Sequence, residues 1–326
     1  MLVLTRTDLE AVLDVEAVIA AIEEAFRQQA AGAVRLVPRQ SLPLHRRDVL
    51  LLMPCAIPGA AAVGTKSVTV CFDNPRRGLP TIMASYLLHD PETGEPLAFM
   101  EASYLTGLRT GATSAVAARR LARPDSRVAA CFGAGVQAAF QLRCLRAVLP
   151  LERVEVLSRH PETAAAFAER QGRALGLPVV PAASPAAALA RADVVVTATT
   201  SPTPVFDGRD LRPGAHVDAV GAFQPTTREL DTETIRRARV FVDTFEAAWH
   251  EAGDVLLPVQ EGAVTRDHVL GELADLVTGA RPGRLATGDI TCFKSVGYAA
   301  EDAVTARLAY DRARVAKRGV TVEVRG

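Results

Sequence analysis

The sequence predicts an α/β protein containing a doubly wound parallel sheet, accompanied by an antiparallel sheet packed on a helix. Three observations predict it. Apolar strand segments alternate with helical segments from Val128 to Gly221. A glycine turn, Gly133-Ala134-Gly135, joins the first of those strands to its helix. Before them, from Val49 to Tyr104, the pattern is β-rich and broken by short turns. Alternating strands and helices build parallel sheets, because each helical crossover returns the chain to the end of the sheet where the previous strand began.

In chain order, "TRTDLEAVLDVEAVIAAIEEAFRQQAAG" carries apolar residues at Leu9, Val12, Leu13, Val18, Ile19, Ile22 and Phe26. This spacing predicts one amphipathic helix, or two short ones, ending at Gly32. "DVLLLMP", "AAVGTKSVTVCF" and "TIMASYLLHDPETGEPLAFMEASY" read as strands, the last as two strands joined by the turn Asp90 to Gly94. "TGLRTGATSAVAARRLA" is helical up to Pro124, and the strand Val128 to Phe132 then feeds a helix that stops at Pro150. Strand "RVEVLSR", helix "PETAAAFAERQGRALG", strand "VVPAA", helix "SPAAALARA" and strands "DVVVTAT" and "AHVDAVG" follow. "DHVLGELADLVTG" and "GYAAEDAVTARLAYDRARVAKRG" read as helical, the second long enough to pack back on the N-terminal part.

The 326 residues are 49% hydrophobic and 23% charged, which suits a globular chain of one large or two smaller domains. Lys plus Arg and Asp plus Glu both number 37, so no global field draws the chain to nucleic acid or an anionic membrane. A small molecule is the expected partner. Five scattered cysteines without a C-x-x-C pair indicate neither a disulfide framework nor a metal site. Arg6, Asp8 and Glu10 interrupt the start before an export signal could form, and no run approaches a membrane span, so a cytoplasmic setting is expected. Only Lys66, Lys294 and Lys317 are lysines in an arginine-rich chain.

"GAGVQA", comprising Gly133, Ala134, Gly135, Val136, Gln137 and Ala138, is a G-x-G-x-x-A fingerprint in the strand-turn-helix context that dinucleotide binding requires. Gly133 allows the tight turn, Gly135 admits a pyrophosphate to the backbone, and Ala138 lets helix and strand pack closely. The helix N–H groups then meet the phosphates. The second strand should end in an acid for a free ribose 2′-hydroxyl, but here it ends in Leu157-Ser158-Arg159-His160. Ser158, Arg159 and His160 suit a 2′-phosphate, which favours NADP(H) over NAD(H), the latter remaining possible. Thr199 and Thr200 fall near the switch point, where a cofactor contact and a plain strand-end turn explain them equally. Lys66 stands in an apolar strand pair, where an unpaired ammonium is costly. Either an anionic ligand or a structural carboxylate such as Glu101 resolves that cost.

Eight ordered segments, "LDVEAVIAAIEEAF", "GTKSVTV", "GLPTIMASYLLHDPETGEPLAFMEASYLTGLRTGATSAVAARRLA", "GAGVQA", "LSRHPETAAAFA", "TATTSPTPVF", "VGAFQPTTRELD" and "CFKSVGYAAEDAVTA", resemble the ornithine cyclodeaminase/mu-crystallin family over nearly the whole chain. The resemblance implies a Rossmann domain, residues 122–299, inserted in an α+β substrate and dimerisation domain of residues 1–121 plus 300–326, and a homodimer. It also implies a substrate carboxylate held by Arg39, Lys66 and Arg109, with Thr81 on the substrate side, Lys66 and Arg109 being the catalytic pair. Thr110, Val220 and Ser295 join the cofactor set, and for Ser295 and Lys294, in an expected cofactor-adjacent loop, a packing role stands beside the functional one.

Two departures separate this chain from the family's cyclodeaminase branch. Phe223 stands where that branch has a proton-handling aspartate, and Leu51 where it has a glutamate for the ornithine side-chain amine. A phenyl ring moves no proton and a leucine pairs no ammonium. "GAFQPTTREL" resembles the imine-reductase branch, with Leu51 and Phe223 as an apolar wall against a cyclic α-imino acid. The expected reaction is NAD(P)H-dependent reduction of Δ1-pyrroline-2-carboxylate or Δ1-piperideine-2-carboxylate to L-proline or L-pipecolate. The alternatives are an ornithine cyclodeaminase-type lyase, an alanine dehydrogenase-like oxidoreductase and a non-catalytic NADPH-linked binding protein.

Overall fold

A computed structural model describes residues 1–46 and 48–324. The chain opens with β1 (Leu2–Leu4), α1 (Arg6–Val12), α2 (Val15–Ala30), β2 (Arg35–Leu36), β3 (Gln40–Pro43), β4 (Val49–Ile57), β5 (Ala62–Val70), β6 (Ile82–His89), β7 (Pro96–Glu101) and α3 (Ala102–Leu121). It continues through β8 (Val128–Phe132), α4 (Val136–Val148), β9 (Arg153–Leu157), α5 (Pro161–Leu175), β10 (Val179–Pro181), α6 (Pro185–Leu189), β11 (Val194–Thr197) and β12 (His216–Ala219). After these come α7 (Thr232–Arg237), β13 (Ala238–Val242), α8 (Phe245–Glu251), α9 (Gly253–Gln260), β14 (Val269–Glu272), α10 (Leu273–Thr278) and β15 (Ile290–Lys294). It closes with α11 (Ala299–Ala316) and β16 (Val320–Thr321).

These elements form two compact units, residues 1–109 with 299–326 and residues 110–298. The division falls inside α3, between Arg109 and Thr110, whereas the sequence reading places it at the end of that helix, between 121 and 122. Small residues are the reason. Gly111 lies so close to α4 that a methyl group there would come 2.5 Å from the Phe140 carbonyl oxygen, which ties the C-terminal half of α3 to the second unit.

In the first unit, the sheet runs β16-β1-β7-β6-β5-β4-β2, with β3 also on β4. β4, β5, β6 and β7 are antiparallel, as their alternation predicts. The β6–β7 turn is fixed by Asp90, whose Oδ1 accepts from the Glu92 and Thr93 N–H groups, and by Gly94 at φ 73°. The N-terminal helical pattern resolves into two helices because Asp14 breaks it, capping α2 by accepting from the Ala17 N–H at 2.7 Å. The apolar face of α2, with Val18, Ile19, Ile22 and Phe26 fully buried, packs on α11, and α11 lies across β4, β5 and β6.

In the second unit, eight strands among the described residues run in the order β10-β9-β8-β11-β12-β15-β13-β14, every pair parallel. Its first five strands follow the doubly wound order 3-2-1-4-5 of dinucleotide-binding sheets. Two cores cover the two faces. Ala129, Cys131, Val194 and Val196 pack with α4 and α5, while their neighbours Ala130, Phe132 and Val195 pack with α6, α7 and α8.

The sequence reading differs at the far edge. "DHVLGELADLVTG" is not one helix: Val269–Glu272 form β14 and only Leu273–Thr278 are helical, the break being set by Glu272, which caps α10 in a reciprocal pair with Asp275. β13 and β15 are also absent from the sequence expectation, and β15 takes in Lys294, expected in a loop. Short segments such as "ARVFV" and "ITCFK" show no regular apolar-polar alternation, because a strand buried on both faces has none to show.

Replacing Gly111 with alanine forces a methyl group into the Phe140 backbone and should cost about 1 to 3 kcal/mol of stability. Denaturant unfolding checks this, and an unchanged midpoint contradicts the close packing described.

Candidate functional site

The first unit assembles a buried cluster of charge around Lys66. Alternation along β5 places Ala62, Gly64, Lys66, Val68 and Val70 on the covered face of the sheet, so the lysine is turned inward by register. Its cross-strand neighbours are Met53 on β4 and Tyr86 on β6. Leu51, two residues from Met53, shares that covered face. Lys66 is 1% and Arg109 5% exposed, burial that an uncompensated cation would not tolerate.

The compensation comes from the first turn of α11. Asp302 accepts from Lys66 Nζ at 2.6 Å through one oxygen and from Arg109 Nε at 2.9 Å through the other. Glu301 accepts from Arg109 Nη1 at 2.5 Å. Glu101, the carboxylate that the sequence offered as a partner for Lys66, is used elsewhere: it caps α3 by accepting from the Ser103 and Tyr104 N–H groups. Neither Glu301 nor Asp302 was singled out from the sequence. Two adjacent acids in an otherwise alanine-rich helical stretch were the available signal.

The electrostatics follow. Burial and the neighbouring Arg109 pull the Lys66 ammonium down to about 8, against the opposing pull of Asp302, and Arg39 adds to the lowering. Burial would also lower Arg109, but Asp302 and Glu301 outweigh it and hold the guanidinium charged. Burial first, then Asp302, push the Tyr86 phenol well up, and the same two causes push the Cys55 thiol up to about 12.

Arg39 lies in the gap between β2 and β3. Leu36 pairs with Cys55 and Gln40 with Leu52, so Arg39 runs beside Met53 and Pro54, one strand from Lys66. Thr81 precedes β6, half-buried, and its carbonyl accepts from the Cys71 N–H at 2.8 Å. The structure therefore brings Arg39, Leu51, Lys66 and Arg109 into one neighbourhood, while Thr81 stands at the strand's entrance.

The second unit contains the glycine turn. Gly133 follows β8 at φ 113°, a conformation that favours glycine, and a methyl group there would lie 2.3 Å from the Ala198 carbonyl oxygen. Gly135 caps α4 and has open space beside it, Val136 at the helix start is exposed, and Ala138 is fully buried against the sheet. Gln137 begins the helix with them, and Ala134 packs against the core that Ala138 joins. A helix N-terminus beside a turn whose Gly135 has open space around it fits the pyrophosphate of a dinucleotide. At the end of β9, Ser158 is half-buried and Arg159 and His160 are exposed, with no carboxylate among residues 157–160.

Around the ends of β11 and β12 the principal residue is Glu229, which the sequence did not single out as a site residue. Its carboxylate accepts from Thr197 Oγ1, from both N and Oγ1 of Thr199, and from the Gly221 and Ala222 N–H groups, at 2.6 to 3.3 Å. Burial and Asp254 push this carboxyl up, against Lys294 and the Thr199 donors. Thr199 is thus committed to a protein partner, and Thr200 beside it is exposed. The Val220 N–H closes on the Thr197 carbonyl at 3.0 Å. Asp254 accepts from the Glu229 and Leu230 N–H groups and pairs with Lys294 Nζ at 2.8 Å, while Lys294 also donates to the Ala222 carbonyl.

Lys294 is therefore a buried strand residue in an ion pair, not part of a loop. Ser295 is buried and donates its hydroxyl to Asp243 at 3.0 Å. Thr110, also buried, gives its carbonyl to Gln141 Nε2 at 3.3 Å. Phe223, on the loop that Glu229 anchors, packs partly buried against the core on one sheet face.

No metal-binding group of His, Cys, Asp or Glu side chains occurs among the described residues, and no helix among them is long and apolar enough to cross a membrane. The family model of the ornithine cyclodeaminase/mu-crystallin family matches residues 1–317. A Δ1-pyrroline-2-carboxylate reductase from Bacillus cereus is 37% identical over 322 residues, 98% of each chain. The structure of Thermococcus litoralis Δ1-pyrroline-2-carboxylate reductase in complex with NADH and L-proline superposes with a TM-score of 0.97 at 39% identity, covering 99% of this chain and 100% of that one. An archaeal alanine dehydrogenase dimer with bound NAD gives 0.93 at 34% identity over 99% of both chains. With a family match through all but the last residues, and with relatives of this identity spanning the whole chain, this chain belongs to the ornithine cyclodeaminase/mu-crystallin family.

Proposed function

We propose that this protein is an NAD(P)H-dependent reductase of small cyclic α-imino acids, converting Δ1-pyrroline-2-carboxylate or Δ1-piperideine-2-carboxylate to L-proline or L-pipecolate. The observation that carries the reading is the phenyl ring of Phe223 on the loop after β12, where a deaminating relative needs a carboxylate. Glu229, the next acid after Phe223 along the chain, is buried and accepts from five protein donors, so it is not available to replace the missing group. The Bacillus and Thermococcus relatives support the same chemistry.

The residues then have defined tasks. Lys66, Arg109 and Arg39 hold the substrate carboxylate, with charge-assisted bonds of roughly 1.5 to 3 kcal/mol each fixing its orientation. Leu51 and Phe223 offer apolar surface to the ring methylenes, and Thr81 stands at the substrate side. A nicotinamide dinucleotide supplies a hydride to the C=N carbon when bound, and residues Gly133 to Ala138 hold its pyrophosphate. A cyclic imine that binds as the iminium needs no side-chain acid. Lys66, drawn down to about 8, is nevertheless able to hold or release a proton near neutral pH. Ser158, Arg159 and His160 favour the 2′-phosphate of NADP(H). The working assembly is a homodimer, in keeping with the archaeal alanine dehydrogenase dimer.

Oxidation of NADPH should depend on either cyclic imino acid, and ornithine should release no ammonia. Arg109→Ala should lower kcat/KM about 100-fold, the loss of close to 3 kcal/mol of carboxylate binding. Equal turnover in that variant would remove the carboxylate-holding role. KM for NADPH should lie below that for NADH, and a preference for NADH would reverse the cofactor assignment. Phe223→Asp should lower reductase kcat/KM about tenfold by placing a charge in the apolar wall, whereas an unchanged rate would place Phe223 outside the site.

A further inference from the structure

Both oxygens of Asp302 are occupied, each by a different buried cation from a different element. Lys66 comes from the middle of β5, 236 residues away in sequence, and Arg109 from α3, 193 away. The ion-paired side chains are nearly or wholly excluded from solvent, at 2% for Lys66, 6% for Arg109 and 0% for Asp302. A surface pair of this kind would be worth little. Here the carboxylate is the bridging group between two cations that would otherwise repel each other across a short gap in a poorly screened interior.

We propose that Asp302 is a positioning residue that fixes the direction and the proton state of Lys66 and couples it to Arg109, so that the two present N–H donors to a carboxylate as one unit. This rests on the imino-acid reading of the site for its substrate, but the effect on Lys66 itself does not. Lys66 Nζ donates to one oxygen of Asp302 and Arg109 Nε to the other, while Arg109 Nη1 donates to Glu301. Glu301 meets the arginine from one side, whereas Asp302 meets both cations and is their shared anchor.

The sign of the effect on protonation is set by the groups around Lys66. Burial, Arg109 from α3 and Arg39 from the β2–β3 connection all favour the neutral amine, and Asp302 from α11 opposes them. Cys55 on β4 and Tyr86 on β6 are held protonated by burial and by Asp302 itself, Cys55 up to about 12, so neither titrates near the lysine. Removing the Asp302 charge therefore lets Lys66 lose its proton at lower pH, and a neutral lysine holds a carboxylate less well. The alkaline limb of kcat/KM for the imino acid should move to lower pH in Asp302→Asn, whereas a residue that only stabilised the fold would leave it in place.

The test uses the full-length protein with 13Cε-labelled lysine, whose three lysines give a small set of resonances, with Lys66→Arg identifying the one of interest. In Asp302→Asn the Lys66 resonance should titrate about one pH unit lower or more. KM for the cyclic imino acid should rise about tenfold while KM for the dinucleotide stays within about twofold. If the asparagine variant does not fold, Asp302→Glu serves: the charge is kept, so Lys66 titrates near its original point, but the longer side chain displaces both donors and KM for the imino acid rises. A folded Asp302→Asn with unchanged Lys66 titration and unchanged imino-acid KM overturns the proposal, as does Asp302→Glu with the original KM. If the parent protein reduces no cyclic imine while its Lys66 titration still falls in Asp302→Asn, the positioning role holds and the substrate reading fails.

Discussion

A lysine and an arginine are buried together in the first unit because one carboxylate holds both. The alternation of β5 turns Lys66 into the protein, α3 brings Arg109 beside it, and each would destabilise the other without Asp302 between them. Asp302 arrives only when the chain has completed the whole second unit and returned as α11. Its placement depends on the packing of α11 against α2 and across the central strands of the sheet, which the apolar face of α2 drives. Hydrophobic packing of one helix thus sets the electrostatics of a strand and a second helix.

A comparable constraint orders the second unit. Glu229 gathers donors from the end of β11 and from the loop after β12, and Asp254 holds the Glu229 backbone in turn while pairing with Lys294 on β15. Three neighbouring strand ends are therefore tied to one another by buried carboxylates rather than by loop length alone. Such fully engaged polar groups rigidify what they connect, since each lost partner leaves a costly orphan. The loop carrying Phe223 is anchored in this way, and its ring packs against the core on one face of the sheet.

Much of this was legible in the sequence, and the exceptions have physical reasons. The strand-glycine-helix segment at Val128 to Val148 is readable because a tight turn and a close helix demand particular residues at particular places. The antiparallel strands are readable because one face is covered and the other is not. β13 and β15 escaped because strands buried on both faces show no alternation, and β14 because the strand-helix junction at Glu272 is set by a side-chain cap within one run. Lys66 was legible as an anomaly, a cation among apolar neighbours. Its partner was not, because Asp302 is far along the chain and nothing local says which of the 37 acidic residues will arrive there. The buried partners of Ser295 and Lys294, Asp243 and Asp254, were invisible in a linear reading for the same reason.

The imino-acid reading implies direct transfer of hydrogen from the cofactor to carbon, in contrast with a cyclodeaminase, where the dinucleotide ends each cycle unchanged. NADPH deuterated at C4, incubated in parallel with Δ1-pyrroline-2-carboxylate and with ornithine, distinguishes the two most directly. The account predicts L-proline carrying one deuterium at C2 and an equal amount of oxidised cofactor. Deuterium-free proline formed from ornithine with release of ammonia, and no net oxidation of the cofactor, would contradict it.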